Sequence, residues 1–488
     1  MIDYNNFLNQ VGVKLQLPEN KYNELKKNYD ALTQYIDSKH VLSDGDGEMY
    51  VQGSFAIDTA IVPLKGNDVD VDMVARFSDL WFAGIQVQPF YDKLVEVFKE
   101  GRYADIYEEH KSVIRINYSN DYHFDIMPVL KKDNSQENKR IKGVHIEENQ
   151  KKWVDRAPKL YKDWYDTRAA CYAIDSLYYT HDSRMNLREM AVTDLPKPNY
   201  YSDKPPLTRT IQIIKRARDS FFYDYDEFIP QSIVLTTMIA KIYDNERDID
   251  RFLIKVYNYF YGLAAEKKRF TVVNPANDQE DFTSKWKENN EYYSNFNKFA
   301  YWIYYKLINL LTTDNKKHFQ RHLEDLFGQR TANQLYNNNK YLYGFWEDST
   351  WKPNQYLSQD KLIEDTYTLN LQYPIQISNS IQPIENTFNR KARKYISRIL
   401  KIDPIQYNQK LVFTVDVDGI MGNYDIYWKV RNLVESEQKY DQIRGAINQG
   451  KYSIEEHSNF NGNHYVECYI VRDREVIAAD RISVPIHE

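Results

Sequence analysis

The chain has 488 residues, 42% apolar and 27% charged, an ordinary globular balance over a length of two or three domains. Its 64 basic and 70 acidic side chains leave a net charge of −6, which argues against constitutive binding of duplex nucleic acid, since that asks for a basic excess. The two cysteines, Cys171 and Cys468, exclude a disulfide framework and a cysteine-rich zinc site and fit a reducing cytosol.

The first residues, Met1-Ile2-Asp3-Tyr4, lack the basic and apolar regions of a secretory signal. With no run of about 18 apolar residues anywhere, the expectation is a cytoplasmic protein without a membrane span. Residues 1–48 read as helical, with Leu8, Val11, Leu15 and then Leu25, Tyr29, Leu32, Ile36 at helical spacing. The cluster Ser43-Asp44-Gly45-Asp46-Gly47 ends that pattern, and short β runs follow: Met49–Val51, Val69–Arg76, and an antiparallel pair from Ser112–Tyr118 and Tyr122–Leu130. Residues 131–155 read as a polar excursion from the sheet and 157–180 as helix. A helix is predicted to start near Leu207, after Pro205-Pro206, and helical periodicity continues to about Tyr343 through Ser232–Tyr243, Arg251–Leu263 and Phe296–Leu311. Residues 346–385 read as a connector and Phe388–Lys401 as a basic helix. The last stretch reads as a small α+β domain, with β runs at Val412–Val417, Tyr424–Val430, Tyr465–Val471 and Ile477–Val484 and a helix at about Val434–Ile447.

The informative segment is Gly53-Ser54-Phe55-Ala56 followed by Val69-Asp70-Val71-Asp72-Met73-Val74. Gly53 and Ser54, after a strand and at the mouth of a helix, offer backbone amides and a hydroxyl to a phosphate. Asp70 and Asp72 stand two apart on a strand, so both carboxylates point from one face and repel unless a cation lies between them. Asp125, in His123-Phe124-Asp125-Ile126-Met127, brings a third carboxylate on a later strand. Such a trio can bridge two Mg²⁺ ions, or Mn²⁺, one activating a hydroxyl and the other holding a triphosphate. Asp68 shares the strand face by parity but follows Gly66-Asn67, so a turn role stands beside metal contact. Two other pairs of the same spacing, Asp224-Tyr225-Asp226 and Asp416-Val417-Asp418-Gly419, lack an upstream Gly-Ser and read as surface or turn carboxylates.

These motifs, with Ile57-Asp58-Thr59-Ala60-Ile61-Val62-Pro63-Leu64, Pro205-Pro206-Leu207, Ile211–Asp219 and Gln231–Thr237, resemble the bacterial relatives of cyclic GMP–AMP synthase and oligoadenylate synthase, the CD-NTases, over roughly residues 1–345. The resemblance implies metal binding by Asp70, Asp72 and Asp125 and a grip on the donor triphosphate by Gly53 and Ser54. It also implies that Lys215 and Ser232 hold the β and γ phosphates from a helical lobe; an exposed helix lysine and an N-cap serine are the plain alternatives. Residues from about 385 to 488, with Tyr427-Trp428-Lys429-Val430-Arg431-Asn432 and His464–Val471, resemble the adenylyl/guanylyl cyclase and SMODS C-terminal sensor domain. That implies a ligand-sensing module, with a nucleotide as one candidate. Trp428, Lys429, Arg431 and Arg444 can stack on a base and pair with phosphates, or they can pack in the small core and face solvent.

The expectation is therefore an α+β protein. A polymerase-β-like nucleotidyltransferase lobe with a mixed sheet (1–205) is followed by a helical lobe closing the cleft (206–345), a connector (346–384) and the sensor-like α+β domain (385–488). Its reaction is attack of a ribose hydroxyl on the α-phosphate of a nucleoside triphosphate, repeated to give a cyclic oligonucleotide second messenger. By the resemblance the setting is bacterial anti-phage defence, with a separate effector protein that binds the product. Alternatives are a linear oligonucleotide, including one built from dATP, nucleotide transfer to RNA or protein, and an inactive nucleotide-binding sensor. A direct nucleic-acid activator is disfavoured by the acidic balance and the lack of a cysteine–histidine cluster.

Overall fold

The computed structural model describes residues 3–39, 47–64, 68–77, 86–110, 112–118, 122–131, 141–147, 150–170, 191–192, 194–196, 204–225, 227–313, 315–338, 360–382, 405–406, 409–432, 444–458, 464–484 and 486–487. The expected turn at 43–46, the helix 388–401, most of the helix 434–447 and the first part of the connector lie outside these residues. The chain forms two compact units, one of Tyr4–Val256 with Arg269–Tyr292, the other of Tyr257–Lys268 with Tyr293–Glu488 and the first three residues. The helical span 206–345 is thus divided between them.

The first unit begins with α1 (Tyr4–Leu15) and α2 (Glu19–Ser38). Its eight-stranded sheet contains β1 (Glu48–Val51), β2 (Val69–Phe77), β3 (Tyr107–Glu109), β4 (Ile114–Tyr118), β5 (Tyr122–Lys131), β6 (Ile141–Glu147), β7 (Gln150–Arg156) and β8 (Ala191–Val192). The order is β3-β4-β5-β2-β1-β8, with the β6–β7 hairpin paired onto β5. Residues 141–156 are therefore part of the sheet, where an excursion was expected, and 150–156 alternate too weakly in polarity to announce a strand. β4 and β5 are antiparallel, as their spacing predicts. A one-turn helix α3 (Gly53–Ala56) links β1 to β2, while β2 and β5 are parallel, with α4 (Val87–Lys99), β3 and β4 in the chain between them.

Burial sets the strand faces. Val69, Val71, Met73, Ala75 and Phe77 of β2 pack with Phe124 and Ile126 of β5 into a core that includes Leu25, Tyr29 and Leu32 of α2 and Phe90, Leu94 and Phe98 of α4. A strand alternates faces at every residue, so this core turns the intervening Asp70 and Asp72 to the opposite side. The helices α5 (Pro158–Ala170), α6 (Pro206–Phe221) and α7 (Ser232–Ile242) follow. Pro206 lies in the first turn of α6, where a missing N–H costs nothing. α6 is buried almost throughout, Arg209 and Gln212 included, and Arg209 spends its charge on Gln212 Oε1 at 3.2 Å. α8 (Ile249–Ala265), the β9–β10 hairpin (Val273–Asn274, Asn277–Asp281) and the short α9 (Ser284–Glu288) complete the helical sequence before α10.

The second unit carries α10 (Glu291–Thr312, from Tyr293), α11 (Lys316–Phe327) and α12 (Gln329–Asn338). Part of the expected connector is ordered into strands β11 (Thr368–Leu369) and β12 (Gln376–Gln382). After β13 (Ile405–Gln406) come β14 (Lys410–Asp416), β15 (Asp425–Asn432), β16 (Ile447–Gly450), β17 (Ser453–His457), β18 (His464–Arg472), β19 (Glu475–Ser483) and β20 (Ile486–His487). They build a five-stranded sheet, β11-β19-β18-β15-β16, and a three-stranded sheet, β12-β14-β17. Leu411, Phe413 and Val415 from the smaller sheet meet Trp428, Val466, Cys468 and Ile470 from the larger in one core. The predicted helix to Ile447 ends differently: residues 444–446 are irregular and Ile447 opens β16. Lys429 and Arg431 are neither solvated nor presented to a ligand. Both are fully buried, Lys429 Nζ at 2.8 Å and Arg431 Nε at 3.2 Å from the Asp360 carboxylate.

Candidate active site

Parallel pairing places Asp72 of β2 opposite Asp125 of β5 and Asp70 opposite His123. On the other side of β5, Arg115 of β4 stands opposite Asp125. Residues in register share a sheet face, so three carboxylates, an imidazole and a guanidinium converge there. Arg115 donates from Nε and Nη2 to the two Asp125 oxygens, each at 2.7 Å. His123 Nε2 lies 3.2 Å from Asp70 Oδ1, and His123 Nδ1 lies 3.9 Å from Asp68. Single ligand atoms of Asp70, His123 and Asp125 all fall within 4.8 Å of one another, a spacing that one metal ion can span.

Electrostatics mark Asp72 as the strained member. Burial, and then the charges of Asp70 and Asp125, push its carboxyl up to about 7 against the opposing pull of Lys215 and His123. A half-buried carboxylate beside two others with too little positive charge is what a divalent cation relieves, and an oxygen-rich donor set suits a hard ion such as Mg²⁺ or Mn²⁺. Burial alone lowers the His123 ring, but the Asp70 carboxylate outweighs it and the net shift is upward.

Gly53 is where the loop meets this cluster. Its φ is +61°, and a Cβ there would lie 2.3 Å from Asp72 Oδ2, so glycine is required both by conformation and by close approach. The Gln52 N–H donates to Asp72 O at 2.9 Å, tying the loop to β2. Ser54 sits in the one-turn helix after it, half-buried. Further along, Asp58 adopts φ +55° and is held by the buried Lys204, whose Nζ donates to Asp58 Oδ1 at 2.7 Å and Asp58 O at 2.9 Å.

Lys215 on α6 is buried, not an exposed helix lysine, and donates to Thr59 O at 3.0 Å. Burial, with the Arg218 charge, brings its ammonium down to about 8, while Asp219, Asp72 and Asp70 act the other way. Ser232 is the first residue of α7, and the cap position is Gln231, which makes no side-chain cap bond. The Ser232 hydroxyl instead accepts from Arg218 Nη1. Arg115, His123 and Lys204 were not singled out from sequence. His123 was accessible by parity, two residues before Asp125. Arg115 needs the β4–β5 register, and Lys204 has no local signal at all.

The lobe, a mixed sheet with an acidic face and a Gly-Ser turn against one carboxylate, has the polymerase-β-like fold. The family model of the Second Messenger Oligonucleotide or Dinucleotide Synthetase domain matches residues 2–168, and that of the Adenylyl/Guanylyl and SMODS C-terminal sensor domain matches residues 357–487. A c-di-GMP synthase of Roseivirga ehrenbergii is 25% identical over 297 residues, which cover 58% of this chain and 73% of the relative. Among solved structures, the CD-NTase CdnG of Bradyrhizobium diazoefficiens in complex with GTP shares the fold with a TM-score of 0.54 at 19% identity, over 68% of this chain and 98% of that one. The 3′-deoxy GTP bound form of Escherichia coli DncV is a more distant likeness, with a TM-score of 0.49 at 15% identity over 66% and 94%. Together these comparisons support a CD-NTase, a nucleotidyltransferase whose C-terminal part matches the sensor-domain model.

Proposed function

We propose that this chain joins nucleoside triphosphates, with release of pyrophosphate, into a cyclic oligonucleotide second messenger, and that Asp70, Asp72 and Asp125 are its metal-binding residues. The observation that carries this is the shared face on which Asp72 pairs in register with Asp125 and touches the Gly53 turn. Bound there, two Mg²⁺ ions, or Mn²⁺, would neutralise the triphosphate and make the attacking ribose hydroxyl easier to deprotonate. The chain's own residues set the geometry. Arg115 fixes the Asp125 carboxylate, and His123 Nε2 stands 3.2 Å from Asp70 Oδ1. Gly53 lets the donor triphosphate approach the carboxylates, and Ser54 offers it a hydroxyl. Lys215 places positive charge beside the Asp70–Asp72 pair. Ser232 needs release from Arg218 before it can meet a phosphate.

The relative's product makes a guanine cyclic dinucleotide the first one to look for. An anti-phage role in the bacterial cytoplasm, with a separate effector protein reading the product, follows from the family and stands as part of this proposal. No described helix is long and apolar enough to cross a membrane. The test is incubation with each NTP and dNTP in Mg²⁺ or Mn²⁺, beside an Asp70→Asn/Asp72→Asn variant, with products resolved by mass spectrometry after phosphatase. A phosphatase-resistant product absent from the variant supports the proposal. A phosphatase-sensitive ladder replaces it with linear synthesis, and label found only on added RNA or protein replaces it with transfer.

A further inference from the structure

The second unit holds an open cavity of about 700 Å³, remote in sequence from the carboxylates of β2 and β5. Its wall includes Tyr261 of α8 and Tyr304 of α10, whose rings lie 4.5 Å apart between centroids. Asp480 of β19 also lines it, and at the end of β14 so do Asp416 and Asp418, both exposed. The Asp418 N–H donates to Asp416 Oδ1 at 3.0 Å, so this pair forms the turn that its sequence suggested.

The charges of the wall do not balance. The lining cations are Lys267 and Arg481. Arg481 is spent elsewhere: Nη1 donates to Asn309 Oδ1 at 2.6 Å and lies 3.7 Å from Glu467, and the guanidinium stacks 3.3 Å from the Tyr465 ring centre. Among the described lining residues, that leaves Lys267 as the one cation beside Asp416, Asp418 and Asp480. Asp480 accepts from the Ile377 N–H at 2.7 Å and from Tyr304 Oη at 3.4 Å, and burial pushes its carboxyl up to about 6. Among the described residues, these aspartates do not form a group whose oxygens converge within 4.8 Å, so a single metal ion does not fit them together. Carboxylates spread along an aromatic wall suit an elongated cation, because each ammonium meets its own carboxylate while the alkyl chain covers tyrosine faces. A nucleotide would set its phosphates against Asp416 and Asp418.

We propose that this cavity, lined by Tyr261, Tyr304, Asp416, Asp418 and Asp480, binds an extended organic polycation of the linear polyamine class. The ligand would bridge α8, α10 and the two sheets of the C-terminal unit, which makes the cavity a sensing site separate from the proposed synthetic one.

Titration calorimetry of the full-length protein with spermidine tests this without any product being made, so its outcome is independent of the synthase reading. One saturable site is expected, unchanged in Asp70→Asn/Asp72→Asn. It should weaken about tenfold or more in Asp416→Asn/Asp418→Asn, roughly the loss of 1.4 kcal/mol. Those side chains are exposed, so the variant keeps its fold; Asp480→Asn, with matched thermal unfolding, is the second arm. Absence of saturable binding overturns the proposal. So does binding that is lost only in the Asp70/Asp72 variant, which would place the polyamine on the catalytic carboxylates. Displacement of spermidine from the cavity by GTP at equal concentration would overturn it in favour of a nucleotide.

Discussion

Gly53 is the residue at which conformation and chemistry meet most tightly. Its φ of +61° and the 2.3 Å gap to Asp72 Oδ2 leave no room for a methyl group. Gly53→Ala should displace either the loop or the Asp72 carboxylate, lowering turnover about 100-fold or more, since misplacements near 1 Å cost that much. Thermal unfolding should fall only by the strain of one left-handed alanine, roughly 1–2 kcal/mol. Asp72 supplies a pH prediction. Its folded pKa is raised to about 7, so the metal-free protein keeps a proton there that the unfolded chain releases near pH 4, and the metal-free fold loses stability as pH rises between those values. A metal ion requires the carboxylate and expels that proton. Apparent Mg²⁺ affinity should therefore fall about tenfold per pH unit below about 7 and level off above it. Mg²⁺-induced stabilisation across pH reads this directly, and Asp72→Asn should abolish the dependence. A flat profile in the unsubstituted protein would remove Asp72 from the metal site. Asp70, Asp72, Asp125 and Gly53 stand out in sequence because type and spacing carry their meaning. Ser232 does not, because its partner Arg218 lies a helix away.

At the scale of elements, the acidic face is a consequence of register. The alternation Val69, Val71, Met73 declares the buried face of β2, and with it the side on which Asp70 and Asp72 emerge. The strand that would lie beside it was not legible. β2 and β5 are brought together across α4 by packing against α2, which no local pattern records. The same limit hid Arg115, whose fork on Asp125 exists only because β4 and β5 pair with Arg115 opposite Asp125. Arg115→Lys keeps the charge but loses the two-pronged geometry. It should raise the Mg²⁺ concentration needed for half-maximal synthesis by about threefold to tenfold, with little change in unfolding temperature. Arg115→Ala should do more, and an Arg115→Ala enzyme with unchanged metal dependence would limit the residue to a structural role. The connector was misread for a similar reason: Asn, Gln and Ser dominate 376–382, yet β14 pairs with that segment along its whole length as β12.

For the molecule as a whole, the second unit is held by a buried charge network rather than by its apolar core alone. Asp360 receives Lys429 Nζ at 2.8 Å, Arg431 Nε at 3.2 Å and Asn315 Nδ2 at 3.0 Å. Lys306 on α10 reaches Asp325 at 2.5 Å and Glu364 at 2.6 Å. The network thus joins α10 and α11 to β15 within one unit, and its composition misled sequence reasoning because lysine and arginine ordinarily mark a surface. Burial works to raise Asp360 and Glu364, but Lys429 and Arg431 in the one case, and Lys306 in the other, outweigh it and hold both carboxyls below their usual range. Depressed carboxyls contribute stability above the unfolded value near pH 4 and lose it as pH falls through the folded one. The contribution of these two carboxyls should therefore be lost only below about pH 4, Glu364 titrating at about 2. Asp360→Ala leaves Lys429 and Arg431 buried with Glu467 as the remaining carboxylate, 3.7 Å from Lys429 Nζ, and removal of one partner from such a set costs about 3–5 kcal/mol. Hydrogen exchange followed by mass spectrometry can locate that loss. Protection should fall in peptides from β15, β18 and α11, while those from β2 and β5 keep theirs, because the two sets belong to different compact units. An equal loss in both sets would mean that the units unfold as one body and that the ion network stabilises the synthetic lobe as well.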